Sequence, residues 1–221
     1  MCTTLKDEGE SLLLRSYLQP EGAKPITPIA REISTGKDED KFINSIDIVT
    51  AARATSAAPV YLPPEPWHTP AGEIVFWDGG VLNNNPIEQL WNARYDLVEA
   101  HAPPPAVSLV LSIGCGKADP SKPHFLLRIL RTLTRYSESF MANTEAKHKD
   151  FERLVQRMKG RDDQNGHVEY FRFEVPTKHQ HFDMADPSII KSLETMTAAY
   201  MREPEVDRAL ERVAQLLASE E

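Results

Sequence analysis

An α/β fold is the architecture that three features of the sequence predict. Short apolar or β-branched runs alternate with segments whose apolar residues recur at helical spacing, Val107 to Ile113 is apolar almost throughout, and Asn85-Pro86 opens a clearly helical stretch. Alternation of the two periodicities points to a mixed architecture of strands and helices. An unbroken apolar run such as Val107 to Ile113 predicts a strand buried on both faces of a parallel sheet.

Taken in order, Cys2 to Lys6 and Ser11 to Leu18 read as two short strands around the polar turn Asp7-Glu8-Gly9-Glu10. Gln19 to Lys41 is proline-rich and then charged, as in a surface loop. A helix is predicted from near Phe42, with Ile43, Ile46, Val49, Ala52 and Arg53 at helical spacing, until Pro59 stops it. Residues 59 to 70, PVYLPPEPWHTP, carry too many prolines for an interior strand and predict a stiff loop bearing Tyr61 and Trp67. Glu73 to Trp77 is a strand that ends at Asp78-Gly79-Gly80, where two glycines permit a turn closed to other residues. Asn85 is the expected N-cap, with Pro86 in the first helical position and Ile87, Leu90, Trp91, Tyr95 and Val98 as one apolar stripe.

Beyond Pro103-Pro104-Pro105, the strand Val107 to Ile113 stops at Gly114-Cys115-Gly116. His124 to about Met158 predicts one long helix or two, Val168 to Val175 a strand, and Asp186 and Pro204 the starts of two closing helices.

A chain of 221 residues holds one sizeable core with appendages. Its formal charge of -8 opposes nucleic-acid backbones and gives no long-range attraction to anionic lipid. No apolar run reaches the roughly 18 residues of a membrane-spanning helix. The opening MCTTLKDEGE has acidic residues where a secretory signal has its apolar stretch, so a cytoplasmic protein is expected, with any peripheral membrane contact local and apolar. Cys2 and Cys115 lack the paired spacing of a zinc site and are too few for a disulfide framework.

The chemistry centres on WDGGVLNNNP, residues 77 to 86, which puts a carboxylate at the end of a strand, on a glycine turn, ahead of a helix. By itself the triplet reads more readily as a turn aspartate holding backbone amides than as a catalytic acid. Its company changes that weighting, because ARATSAAPVYLPP lies upstream and VSLVLSIGCGK follows after another helix. In this order the segments resemble the patatin-like phospholipase family, best over residues 1–118, with LLLRSY and SIGCG resembling its recurrent strand segments.

The resemblance implies a three-layer sheet flanked by helices, of which residues 1–221 would be the C-terminal part, incomplete at the N-terminal side, with 119–221 as its helical end. It implies lipid acyl-ester hydrolysis by a serine–aspartate dyad, without metal or other cofactor and with lipid or phospholipid as substrate. Asp78 matches the catalytic aspartate, and Gly79 and Gly80 complete the turn motif. A serine hydroxyl is a poor nucleophile until a neighbouring base accepts its proton, and the family aspartate does this without a histidine.

The GxSxG nucleophile turn does not occur, since no two of the 10 glycines stand four positions apart. Ser34-Thr35-Gly36 and Ser112-Ile113-Gly114 are half-matches, and Ser112 has Val110 where the sharp turn needs glycine. No nucleophile is therefore assigned, and the chain alone is expected to be hydrolytically inactive. A non-catalytic interaction protein on a hydrolase-derived scaffold is the alternative.

Other features read blandly. Asp119 and Pro120 stand where a dinucleotide-binding loop needs glycine and a starting helix, and Lys117 reads as a solvated lysine. His179, His181, Asp183 and Asp186 match no metal motif, Asp186 being explained as an N-cap before Pro187. Trp67 and the helix containing Leu126, Leu127, Ile129, Leu130 and Leu133 are the candidate lipid-facing surfaces, although such helices more often pack into a core.

Overall fold

The computed structural model describes residues 2–7, 9–15, 46–59, 61–69, 72–99, 101–116, 137–161, 166–177 and 186–219. The predicted loop Gln19 to Lys41, the start of the helix near Phe42, the leucine-rich segment 124–133, Ser34, Lys117, His179, His181 and Asp183 lie outside these residues. The chain divides into two compact units, Met1–Pro105 with Leu133–Lys149, and Ala106–Thr132 with Asp150–Glu221.

In the first unit β1 (Cys2–Leu5) and β2 (Ser11–Leu13) form the predicted hairpin. β3 (Glu65–Thr69) and β4 (Gly72–Asp78) complete a four-stranded sheet of order β2-β1-β4-β3, in which every neighbouring pair is antiparallel. The proline-rich segment is thus a strand over Glu65–Thr69 rather than a loop. Its place at the sheet edge reconciles the two, because Pro66 offers no N–H and an edge strand needs donors on one side only. Trp67 packs against the core, stacked on Phe76 at 6.1 Å between ring centroids, and remains partly exposed.

Helix α1 (Ile48–Ser56) opens at Asp47, whose carboxylate accepts from the Thr50 N–H at 2.8 Å. The expected apolar face is wrong in phase: Ile48 and Val49 are 84% and 66% exposed, whereas Ala51, Ala54 and Ala57 are buried. Sheet contact is made through the smallest side chains, so helix and strand come close enough for direct hydroxyl–carbonyl bonds. The core collects Leu5, Leu12, Leu14, Ala51, Ala54 and Phe76, with Ile46, Trp67 and Ile74 packed against it.

After β4 come the single turn α2 (Gly80–Asn83) and α3 (Ile87–Ala93), which tightens into a 3-10 turn over Arg94–Leu97. Asn85 bonds one residue earlier than a regular cap, accepting from the Ile87 N–H at 3.3 Å, while Pro86 takes the cap position. The predicted stripe holds at Ile87 and Trp91 but fails at Leu90, which is 62% exposed. Arg94 lies over the Trp91 ring at 3.3 Å and donates to the Trp91 carbonyl, and Asp96 forms a buried ion pair with Arg15.

In the second unit β5 (Leu109–Ile113) pairs in parallel with β6 (Glu169–Phe173). The parallel pairing was predicted, but burial on both faces is not found: Val110 and Ser112 are buried while Leu111 and Ile113 are exposed. In this two-stranded sheet the burial alternates with the pleat, and Phe151 meets Tyr170, the register partner of Val110, edge-on at 5.0 Å. Helix α4 (Ser137–Met158) gives its residues up to Lys149 to the first unit and those from Asp150 to the second. Asp186 caps as expected, accepting from the Ser188 N–H at 2.9 Å before Pro187–Ile189 and α5 (Ile190–Tyr200), and Pro204 opens α6 (Pro204–Ala218). Among the described residues no helix is long and apolar enough to cross a membrane.

Replacing Trp91 by alanine should cost about 3–5 kcal/mol in urea unfolding, and Leu90→Gln should stay within about 0.5 kcal/mol. Equal losses at the two positions would show that the stripe follows the sequence period after all.

Candidate active site

Asp78 is the last residue of β4, and three elements fix its backbone. Its N–H donates to the Ala57 carbonyl at the end of α1 at 3.0 Å, and its own carbonyl accepts from the Thr4 hydroxyl of β1 at 3.0 Å. It pairs in register with Thr3 across the β1–β4 ladder. The carboxylate oxygen Oδ1 accepts a short bond from the Gly80 N–H, closing a turn around Gly79.

The two glycines do not serve the conformational purpose expected of them. Gly79 has φ -62° and ψ -28°, ordinary right-handed values open to any residue, and Gly80 already begins α2. What requires glycine at position 79 is proximity: a β-carbon there would lie 2.2 Å from the Cys2 carbonyl oxygen and 2.7 Å from its carbon. Backbone occupies that space, and no side-chain rotation can clear it.

The carboxylate is half-buried. Burial raises the Asp78 pKa above the ordinary aspartate value, and the hydrogen bond from the Gly80 N–H partly opposes that rise. The net direction strengthens the carboxylate as a proton acceptor, which is what activation of a hydroxyl demands.

The segment after the turn is held by contacts that the sequence did not announce. Lys147 of α4 donates to the Leu82 carbonyl at 3.0 Å and to Asn83 Oδ1 at 2.7 Å, and the buried Asn83 donates through Nδ2 to Ser11 Oγ. Burial lowers the Lys147 pKa, with Glu88 and Cys2 acting the other way. Asn84 donates to Thr144 Oγ1 at 3.0 Å and Asn85 to the Thr144 carbonyl at 3.4 Å. All three asparagines of the NNN run therefore have specific partners, whereas the sequence suggested a role for Asn85 alone. The buried hydroxyls of Thr3 and Thr4 were equally unforeseen. Two adjacent threonines in a strand flanked on both sides by others were their only signal.

Ser112 is placed against a nucleophilic role. It sits within β5, 7% exposed, and its Oγ accepts from the Arg172 guanidinium at 2.6 Å, while Arg172 also pairs with Glu174 at 3.0 Å. Of the free cysteines, Cys115 is exposed and Cys2 is half-buried, and burial pushes the Cys2 thiol up, keeping it protonated at neutral pH. Among the described residues no three His, Cys, Asp or Glu side chains converge as a metal set.

The site that emerges belongs to a recognisable chemical class, a half-buried carboxylate on a glycine turn at the end of a strand in a mixed α/β unit. Residues 13–91, which contain this turn, match a family model described as patatin-like phospholipase. The match lies in the N-terminal region of the chain and is narrower than the 1–118 over which the resemblance was read, leaving out β1 and everything after Trp91. No curated protein and no solved structure matches the chain.

Two outcomes follow from this geometry. Gly79→Ala should destabilise the protein by about 1–3 kcal/mol, the range of a strained overpacked site, in urea unfolding. Because the folded state holds the Asp78 proton more tightly than the unfolded chain does, ionisation of Asp78 works against folding. The stability this residue contributes is complete below the ordinary aspartate pKa and disappears as pH rises through its raised folded value. Asp78→Asn should therefore match the wild type in Tm at acid pH and exceed it near neutrality; a neutral-pH loss would mean that the charged form is favoured by folding.

Proposed function

We propose that the chain carries the general base of a patatin-like lipid acyl hydrolase, with Asp78 in that role and Gly79 and Gly80 forming its turn. On this reading residues 1–221 are the C-terminal part of one such domain, whose three-layer sheet is completed by a segment that also bears the serine. The single observation carrying the reading is Asp78 itself, a strand-end carboxylate of raised proton affinity, fixed from β1 and α1 within the stretch matched by the family model.

In the reaction Asp78 accepts the proton of a serine hydroxyl as its oxygen attacks the carbonyl of a lipid ester. The tetrahedral intermediate expels the alcohol, which takes that proton back from Asp78, and an acyl-serine remains with the carboxylate free again. Water then attacks the acyl carbon, giving up a proton to Asp78, and the fatty acid leaves with the serine restored. The serine and the backbone donors for the oxyanion come from residues outside these 221, because GxSxG is absent from the sequence. Lipid ester is the proposed substrate class, in line with the family model matched at residues 13–91. The same absence favours a second reading, an interaction protein that retains the turn for its structural value alone.

The test is to translate the genomic sequence upstream of Met1, where the absence of an in-frame GxSxG segment would sink the reading, and to assay the chain fused to such a segment on a short acyl ester and phospholipid vesicles. Asp78→Asn should lower kcat by about 10²–10⁴-fold, the usual worth of a positioned base, and the 221-residue chain alone should show no turnover. Equal turnover by the wild-type and Asp78→Asn fusions would discard the catalytic assignment and leave the interaction reading.

A further inference from the structure

Buried hydroxyls converge behind Asp78 without touching its carboxylate. Thr3 and Thr4 are almost fully buried in β1, where valine would fill the same volume and satisfy the strand preference without a polar group to desolvate. A hydroxyl at such a position needs partners, and the partners are specific. Thr3 Oγ lies 2.9 Å from the Ala54 carbonyl of α1 and 2.8 Å from the Trp77 carbonyl of β4. Its one proton is shared between a helix end and the residue just before Asp78. Thr4 Oγ donates to the next carbonyl, that of Asp78.

Helix α1 reciprocates. The Thr55 hydroxyl donates to the Cys2 carbonyl, the same carbonyl against which Gly79 is packed, and the Thr55 carbonyl accepts from the Gly79 N–H at 3.3 Å. Thr3 thus donates from β1 to the Ala54 carbonyl of α1 and Thr55 donates back from α1 to the Cys2 carbonyl of β1, with the Gly79 N–H bound to the Thr55 carbonyl beside them.

We infer that Thr3 and Thr55 are positioning residues for Asp78: their crossed hydroxyl bonds hold β1 and the end of α1 at the separation that seats the aspartate turn and keeps its carboxylate half-buried. This rests on the reading of Asp78 as the proton acceptor only for its catalytic meaning; the placement itself is testable without turnover. Losing either hydroxyl frees the turn to open and lets water reach the carboxylate. Serine at position 3 keeps the O–H and preserves the seat.

The experiment is a carbon-detected NMR titration of the Asp78 carboxyl, with the Gly80 amide shift followed in parallel, in the full 221-residue chain and in Thr3→Val, Thr3→Ser, Thr55→Val and Ile74→Val. In Thr3→Val and Thr55→Val the Asp78 midpoint should fall toward the ordinary aspartate value, and Thr3→Ser should titrate as the wild type. Ile74→Val, which trims the same core away from the turn, should lower Tm and leave the titration in place. If Thr3→Val does not fold, Thr55→Val decides by the same criterion, since its side chain is only half-buried. Wild-type titration in the folded valine variants would overturn the inference, as would a shift of equal size in Ile74→Val. Neither result bears on whether Asp78→Asn abolishes turnover in the fused protein, so the two readings fail separately.

Discussion

The first unit depends on how the carbonyls at the end of α1 are satisfied. An α-helix leaves its last four C=O groups without intrahelical partners, and a buried helix end must find others. Three of the carbonyls find partners outside the helix: Ala54 takes the Thr3 hydroxyl, Thr55 takes the Gly79 N–H, and Ala57 takes the Asp78 N–H, while Ser56 takes the Ala58 N–H and the Ser56 hydroxyl turns back to the Ala52 carbonyl at 2.7 Å. Two of these donors are backbone groups of the aspartate turn itself. The helix is therefore capped by the segment that carries the carboxylate, and neither can be placed without the other. Each bond is worth about 0.5–1.5 kcal/mol net, while a buried group left without its partner costs about 1–3 kcal/mol, so the arrangement is held mainly by the penalty for breaking it.

This dependence explains what could be read from the sequence and what could not. The hairpin of β1 and β2, the strand ending at Asp78, the parallel strands of the second unit, and the starts at Asp186 and Pro204 all rest on local chemistry, namely periodicity, turn residues and caps. Those signals lie within a few residues of the feature they report. The errors arise where a distant partner decides. Nothing near Ile48 and Val49 says that α1 turns its alanines to the sheet, because that choice is made by the Thr3 and Cys2 contacts roughly fifty positions away. The proline-rich segment becomes a strand because β4 offers an edge, and the NNN run becomes specific because Thr144 and Lys147 come from α4.

The second unit shows the same division. Val107 to Ile113 has the composition of a fully buried strand, and the described sheet has only two strands, with Leu111 and Ile113 exposed. Composition reports what a strand can tolerate on each face. Burial depends on how many neighbours the fold supplies. Ser112, apolar in its surroundings by sequence, is in fact bound into a polar set with Arg172 and Glu174, and that set explains the serine without any chemistry of its own.

For the aspartate a structural turn bond and a proton-accepting role are geometrically compatible. The turn engages one carboxylate oxygen through the Gly80 N–H, and a carboxylate has lone pairs on two oxygens, so a turn aspartate retains acceptor capacity. The turn also sets the direction of that capacity, since Thr4, Ala57 and the β1 register fix the backbone from which the side chain projects. Burial raises its affinity for a proton, and the fold sustains this unfavourable state of the anion through bonds made by the backbone on either side. Asparagine could make the same Oδ1 bond without a charge to desolvate, so the comparison of Asp78 with asparagine separates the two readings. Proton transfer is the proposed use of that carboxylate, and its raised proton affinity is the feature the proposal draws on.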